Sequence, residues 1–420
     1  MICLATCEII SVGTEILLGD ILNTDAQFLS IQLALMGISV LHQTTVGDNP
    51  ERLREALDIA ASRNDIIITS GGLGPTPDDL TKEICCEFFS KKCVLHRESL
   101  ERMSSYFASK GLEMTENNKK QAMLPTDCTV FPNDNGTAPG CAIEKNGKHI
   151  LMLPGPPGEL KPMFFNYAAK YLKRFSDKTI ISHSIRTFGI GESAMAQKVN
   201  DLFDGSNPTL APYAKNGEAL LRVTAMAQSK EDAEKLCAPI IKEVSRRLDG
   251  LIYGIDVPNI ETAVVNMLKE KHLKLATAES CTGGYIGKRI TDIPGSSDVF
   301  ECGIISYSNE IKANVLGVSR DDLQKYGAVS EQVAKQMAIG ALKVSGADIA
   351  VSVTGIAGPG SDGTDKPVGL SYIGIAAKDF VYAKKLVTGK KNDGCREYNR
   401  YVSASNALNL VRLYLENRLR

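Results

Sequence analysis

Short apolar runs alternate along the chain with longer stretches in which apolar residues recur every three or four positions, so strands and helices are expected in turn. Glu8-Ile-Ile-Ser-Val12 predicts a strand running into Gly13 to Asp20, and Thr24 to Met36 an amphipathic helix that stops at Gly37. Ile38 to Val46 predicts a second strand and Pro50 to Ala61 a helix. Asp65-Ile-Ile-Ile-Thr69 predicts a third strand, continuously apolar as parallel strands are. It opens into Ser70-Gly-Gly-Leu-Gly-Pro-Thr-Pro-Asp-Asp79 and a helix from Leu80 to Ser90. A further strand, His149 to Leu153, opens into Pro154-Gly-Pro-Pro-Gly-Glu159. This is α/β patterning, which places binding loops at the C-terminal ends of strands.

The pattern changes between about residues 171 and 253: strands Thr179 to Phe188 and Ala219 to Ala227 flank a helix from Gly191 to Asp201, and a helix from Glu231 to Asp249 follows. That last helix starts acidic and ends in Arg246 and Arg247, as the helix dipole favours. This small α+β unit shows no catalytic cluster and reads as a spacer. Helix Glu261 to Lys269 then leads to strand Leu275 to Ala278, the turn Glu279 to Gly284 and helix Tyr285 to Thr291. Strand Glu301 to Ser306, helix Ser330 to Val344, strand Ile349 to Thr354, strand Leu370 to Ala376 and helix Glu397 to Arg418 complete the chain. Three domains are expected: 1–170, 171–254 and 255–420.

Composition excludes several classes. The 420 residues are 43% hydrophobic and 23% charged with net charge −1, so nothing draws the chain generally to nucleic acid or anionic membrane. No apolar run reaches a membrane span, Met1 to Ser11 lacks a basic signal-peptide start, and a cytoplasmic location is expected. The eleven cysteines are scattered without Cys-x-x-Cys spacing, and five histidines show no His-x-x-x-His, which argues against zinc. Most cysteines read as small buried apolar residues; Cys281, beside Ser280, is the candidate reactive thiol.

The chemistry concentrates in Lys274-Leu-Ala-Thr-Ala-Glu-Ser280-Cys-Thr-Gly-Gly284 and Tyr307-Ser-Asn309-Glu-Ile-Lys312. A serine at a strand-to-helix turn meets converging N–H groups, and the helix N-terminus there is expected to receive an anion. Tyr307 and Lys312 supply a phenol and an amine for activating a hydroxyl without histidine. The competing reading makes Ser280 a helix cap and Lys312 a solvated charge. In the first domain, Gly71, Gly72 and Gly74 suit a phosphate and Asp78 and Asp79 a hard divalent cation, against a reading of both aspartates as turn and cap residues. Asn133 and Asn135-Gly-Thr137-Ala-Pro-Gly140 form a second loop cluster.

Gly-Gly-Leu-Gly-Pro-Thr-x-Asp-Asp, Gly-Thr-Ala-Pro-Gly and Pro-Gly-x-Pro-x-Glu resemble the amino-terminal domain of the CinA family, and Thr-Ala-Glu-Ser-Cys-Thr-Gly-Gly, Tyr-Ser-Asn-Glu-x-Lys, Gly-Ala-Val-Ser, Thr-Gly-Ile-Ala-Gly-Pro and Lys-Pro-Val-Gly resemble its carboxy-terminal, PncC-type domain. The resemblance implies a MogA/MoaB-like three-layer α/β domain, a small α+β KH-like connecting domain and a carboxy-terminal α/β domain. RNA binding is not implied, since a Gly-x-x-Gly loop is not evident in the connector.

As activities, the resemblance implies a nicotinamide mononucleotide (NMN) amidohydrolase in the last domain, without cofactor, and in the first a metal-dependent ADP-ribose pyrophosphatase using Mg²⁺, Mn²⁺ or Co²⁺. It implies Ser280 as nucleophile with Lys312 and Tyr307, and Thr282, Gly283, Gly284, Asn309, Thr354, Gly355, Gly358, Lys366 and Arg396 around the substrate. Gly71, Gly72, Gly74, Thr76 and Thr137 would bind the diphosphate and Asp78 and Asp79 the metal, with Glu15 or Asp20 as further carboxylates. A homodimer is implied as well. The family's Gly-x-Arg-x-x-x-Arg follows a strand directly; here Gly389-Lys-Lys-Asn-Asp393 intervenes before Gly394-Cys-Arg396-Glu-Tyr-Asn-Arg400. Alternatives are a molybdopterin-handling protein and a non-enzymatic competence-related interaction protein.

Overall fold

Strands with apolar side chains on both faces become the centres of the two large sheets. The computed structural model describes residues 5–175, 178–215, 217–361, 363–390 and 392–419; Cys3 and Lys391 of the insertion lie outside the described residues. The chain packs as two compact units, Met1–Ser182 with Thr224–Cys237, and His183–Val223 with Ala238–Arg420.

In the first unit, strands β1 (Thr6–Val12), β2 (Ser39–Val46), β3 (Ile66–Ser70), β4 (Cys93–Leu95), β5 (Met123–Pro125), β6 (Thr129–Phe131), β7 (Gly140–Lys145) and β8 (Lys148–Leu153) build a six-stranded sheet and a two-stranded ribbon. The sheet order is β2-β1-β3-β8-β7-β6, with β4 and β5 paired apart. β1 runs parallel to β2 and β3, and β3 to β8, whereas β7 is antiparallel to β8 and β6. Side chains alternate across it: Ile9, Ile66 and Ile68 enter one core and Ile10 and Ile67 the other, giving three layers. Burial on both faces explains the continuous Ile-Ile-Ile run. The hairpin β7–β8 turns at Asn146 (φ 53) and Gly147 (φ 74), both left-handed as a two-residue hairpin turn requires.

A four-stranded sheet follows, ordered β10-β11-β9-β12, from β9 (Thr179–Phe188), β10 (Thr209–Lys215), β11 (Glu218–Ala227) and β12 (Ile252–Ile255), with helix Lys230–Arg247. The carboxy-terminal sheet is β14-β13-β15-β16-β17, from β13 (Leu275–Glu279), β14 (Phe300–Ile305), β15 (Ile349–Gly355), β16 (Leu370–Ala377) and β17 (Phe380–Val387). β13 lies between two parallel partners, β14 and β15, while β16 and β17 are antiparallel. Leu275, Ile349, Val351 and Val353 pack into the core of helices Ile260–Lys271, Tyr285–Thr291 and Cys395–Leu415; Ala276, Ala278 and Ala350 face helix Glu331–Ser345. The C-terminal end of β13 therefore delivers the Ser280 turn from inside the sheet, between β14 and β15. No helix among the described residues is long and apolar enough to cross a membrane.

Candidate functional site

Because β13 and β14 run parallel, their C-terminal ends lie side by side: Glu279 pairs with Ile305, and the Ser306 amide donates to the Glu279 carbonyl at 2.8 Å. The chain then enters helix Asn309–Leu316, capped by Ser308, whose hydroxyl accepts from the Ile311 amide at 3.2 Å. One turn in, Lys312 points back under the strand ends and is 1% exposed. Its Nζ lies 3.0 Å from Ser280 Oγ, 2.7 Å from the Ser306 carbonyl and 3.2 Å from the Tyr307 carbonyl. Burial pushes the amine down from 10.5 to about 8, opposed only by the nearby Cys281 sulfur. Three acceptors match the three N–H groups of an ammonium. A neutral amine keeps two N–H bonds to the carbonyls and turns its lone pair toward the Ser280 hydroxyl, the arrangement a general base needs.

The Ser280 turn is held at several points. The Ser280 amide donates to the Val353 carbonyl at 2.9 Å, so that amide is spent and an oxyanion must look to the amides that follow. Gly283 N donates to the Ser280 carbonyl at 3.1 Å, and Gly284 sits at φ 89, a left-handed backbone that starts the helix. Arg400 Nη2 donates to the Thr282 carbonyl at 2.7 Å. The expectation that the following helix N-terminus receives a substrate anion is corrected: Glu279, 1% exposed, already fills it, accepting from Ile286 N at 3.1 Å and Gly287 N at 2.9 Å. Sequence reading took Glu279 only as the first residue of the turn and gave it no role, because the amides it accepts from lie seven and eight residues further on.

The other residues expected around this site fall into two groups. Tyr307 is 61% exposed; its carbonyl holds Lys312, while its phenol oxygen accepts from Arg396 Nη2 at 3.1 Å, so the phenol does not reach the amine. Arg396 also donates to the Gly358 carbonyl at 3.0 Å, which brings Tyr307, Arg396 and the Gly355–Gly360 loop together, and Asn309, just after Tyr307 in the chain, is exposed. Thr354, Gly355, Lys366 and the Thr282 side chain are turned to the protein instead. Thr354 Oγ1 donates to the Ala328 carbonyl at 2.8 Å, and Lys366 Nζ to the carbonyls of Tyr326 and Val329 at 2.7 and 2.8 Å. A Cβ on Gly355 would meet Ser371 Cβ at 2.6 Å, and the Thr282 hydroxyl is fully buried without a partner among the described residues. Burial pushes the Cys281 thiol up to about 12, which disarms it as a nucleophile. Asn399, unread in the sequence, donates to the carbonyls of Ala357 and Lys390 at 2.9 and 3.2 Å and so ties the inserted segment to the site loop.

In the first unit, a cleft of about 540 Å³ opens at the C-terminal ends of the parallel strands, lined by Gly71, Gly72, Gly74, Asp78, Asp79, Thr137 and Glu15 among others. A Cβ on Gly71 (φ 97) would lie 2.1 Å from the Val12 carbonyl, so only glycine lets these two strand ends approach. Asp79 Oδ2 accepts from the Thr76 amide at 2.9 Å and from the Thr76 hydroxyl, and Lys120 Nζ clasps the carbonyls of Thr76 and Asp79 at 3.0 and 2.6 Å. Asp79 thus also does the turn-capping work that the competing reading gave it, while Asp78 is exposed at the cleft. Asp25, Asp48 and Glu159 line the cleft too, from segments the sequence kept apart. Asp48 accepts from the Thr14 amide and hydroxyl at 2.9 and 2.7 Å, and Glu159 from Asn133 Nδ2 at 2.6 Å. Burial pushes Asp25 up to about 6 against the pull of Lys161, and its buried Oδ1 has no hydrogen-bond partner among the described residues. Among the described residues, no three His, Cys, Asp or Glu side chains form a self-sufficient metal cage. The oxygen donors Asp78 and Asp79 fit instead a cation that shares its shell with ligand phosphates, as Mg²⁺ does.

Residues 8–174 match the profile of a "Probable molybdopterin binding domain", residues 182–254 that of the "Damage-inducible protein CinA KH domain", and residues 258–415 that of the "CinA C-terminal domain". The CinA-like protein of Dictyoglomus turgidum is 52% identical over 412 residues, covering 98% of this chain and 99% of its own. Its counterpart in Dictyoglomus thermophilum is 50% identical over the same length and coverage. A solved structure, the competence/damage inducible protein CihA from Agrobacterium tumefaciens, is 39% identical over 37% of this chain and 93% of its own, with a TM-score of 0.35. The architecture is accordingly a MoaB/MogA-like amino-terminal domain, a KH-like connector and a CinA carboxy-terminal domain. With half its residues shared with such relatives end to end, the chain belongs to the CinA family.

Proposed function

We propose that the carboxy-terminal domain hydrolyses the carboxamide of nicotinamide mononucleotide to nicotinate mononucleotide and ammonia. The observation that carries this reading is the contact of Lys312 Nζ with Ser280 Oγ at 3.0 Å, made by a buried amine whose pKa is lowered to about 8. The neutral amine takes the hydroxyl proton as Oγ attacks the amide carbon. The same proton then serves the departing ammonia, and water releases the acyl-enzyme by the reverse exchange. Amides of the turn after Ser280 offer donors to the oxyanion, and Arg396 a cation to the 5′-phosphate once it leaves the Tyr307 phenol.

For the amino-terminal cleft we propose hydrolysis of ADP-ribose to AMP and ribose 5-phosphate. Asp78 and Asp79 would hold a divalent cation, which when bound supplies positive charge to a diphosphate. The chain's own part is a glycine-tight loop, fixed by Thr76 and Lys120, that leaves the carboxylates at the cleft. Purified protein incubated with each nucleotide and resolved by chromatography tests both. Deamidation is expected with or without chelator, and ADP-ribose cleavage only with Mg²⁺, Mn²⁺ or Co²⁺ present. An NMN sample that stays intact ends the first reading, and ADP-ribose intact under every metal ends the second.

A further inference from the structure

Helix Thr81–Phe88 begins directly after the Gly71–Asp79 loop and turns Cys86, 3% exposed, into the interior. β4 then returns Cys93 to it: the two Sγ atoms lie 2.7 Å apart, well inside van der Waals contact for unbonded sulfurs. Cys93 is half-buried, so a small oxidant reaches it and not Cys86. The pair is also wired to the cleft. Lys82, on the same helix as Cys86, is buried and donates from Nζ to the carbonyls of Lys120 and Gln121 at 3.2 and 2.6 Å. Those residues lead into β5, the partner of β4, and Lys120 in turn clasps the cleft loop at Thr76 and Asp79. Neither cysteine takes part in either reaction proposed above.

We propose that Cys86 and Cys93 form an oxidisable dithiol, with Cys93 the thiol that meets a hydroperoxide and Cys86 the thiol that resolves it. The Cys86 thiol donates a hydrogen bond that favours the Cys93 thiolate, lowering its pKa and raising that of Cys86, and the Lys82 ammonium adds positive charge nearby. The Cys93 thiolate attacks the outer oxygen of the peroxide; the O–O bond breaks, and its electron pair leaves with the alkoxide or hydroxide, which takes up a proton. Cys93 becomes a sulfenic acid. The Cys86 sulfur then attacks the Cys93 sulfur, the S–O bond breaks, and hydroxide leaves with the Cys86 proton as water. Two thiols are oxidised by two electrons, and one hydroperoxide is reduced to an alcohol, or water, plus water.

The test exposes the purified full-length protein to hydrogen peroxide, alkylates remaining thiols under denaturing conditions, and maps peptides by mass spectrometry. The expected result is a loss of two of the eleven thiols, a Cys86–Cys93 crosslinked peptide, and full reversal by dithiothreitol. Cys86→Ser should instead accumulate a dimedone-reactive sulfenic acid on Cys93, while Cys128→Ser should leave the crosslink intact. Thiols that all remain titratable overturn the proposal. So does a crosslink elsewhere, notably between Cys128 and Cys141, which are also hydrogen-bonded to each other. Because the wild-type protein itself gives the readout, the proposal does not depend on either serine variant folding.

Discussion

Lys312 Nζ stands 3.0 Å from Ser280 Oγ across 32 residues of chain, brought there by two parallel strands that end together and a helix that starts at Ser308. A base whose pKa is lowered to about 8 fixes the direction of the pH dependence. The protonated amine cannot accept the serine proton, so deamidation should rise about tenfold per pH unit below 8 and level off above it. Initial rates on NMN from pH 6 to 10 measure this, and a flat or falling profile would remove Lys312 from the base role. Lys312→Met, close in length but without the amine, should abolish the limb along with nearly all turnover.

Ser280→Ala removes the attacking atom and leaves the turn's backbone in place. Turnover should fall by about three orders of magnitude or more, with the fold intact by circular dichroism. Activity within tenfold of wild type would transfer the nucleophile to water.

Glu279 acts through the turn and not on substrate. Its carboxylate takes both leading amides of helix Tyr285–Thr291 and so ties the residue before Ser280 to the residues after Gly284. Glu279→Ala would strand one buried and one half-buried donor, at a cost of about 2–3 kcal/mol. Melting temperature and kcat should both fall, with KM changed less because no contact with substrate is lost. A variant that melts like wild type with unchanged kcat would show the turn to be held by its other bonds alone.

How much of this could be read from the sequence follows from burial. β1, β3, β13 and β15 are buried on both faces and stand out as apolar runs. Missed elements include β7, whose last two residues are exposed, and β17, in which no residue is fully buried, both hairpin partners of a neighbouring strand, and helix Arg97–Ser109, which buries only Ser99 and Met103. Ser280 and Lys312 were legible because each sits in a local motif. Glu159 closes a loop motif of its own, but Asp25 and Asp48 were not legible, since strand order alone brings residues so far apart in sequence to one cleft. Lys366 and Thr354 show the opposite failure: both stand in motifs, yet their polar atoms are engaged by backbone carbonyls.

Asp25 makes a stability prediction with a definite sign. Burial raises its folded pKa from the ordinary 3.8 to about 6, with Lys161 on the neighbouring helix pulling the other way and Glu15, Asp48, Asp78, Asp79 and Glu159 lining the same cleft. Below 3.8 the carboxyl is protonated in folded and unfolded chain alike. As pH rises from 3.8 to about 6, the unfolded chain ionises first and stability falls, by up to about 3 kcal/mol in full. Asp25→Asn removes that penalty. Its melting temperature should match wild type near pH 4 and exceed it at pH 7; a difference that does not grow with pH would mean Asp25 is ionised at no cost.

The last prediction separates the two chemistries. The cleft carboxylates belong to one unit and the Ser280–Lys312 pair to the other, and no atom is shared between them. Asp78→Asn with Asp79→Asn keeps the Thr76 turn supplied with an amide oxygen acceptor but strips the negative charge that a divalent cation requires. ADP-ribose cleavage should drop at least a hundredfold, and Mn²⁺ should no longer protect the protein against thermal unfolding. NMN deamidation should stay within twofold of wild type. Cleavage that survives the double substitution would place the cation on Glu15, Asp48 or Glu159 instead, whereas deamidation that falls with it would mean that the amino-terminal loop governs the serine of the other unit.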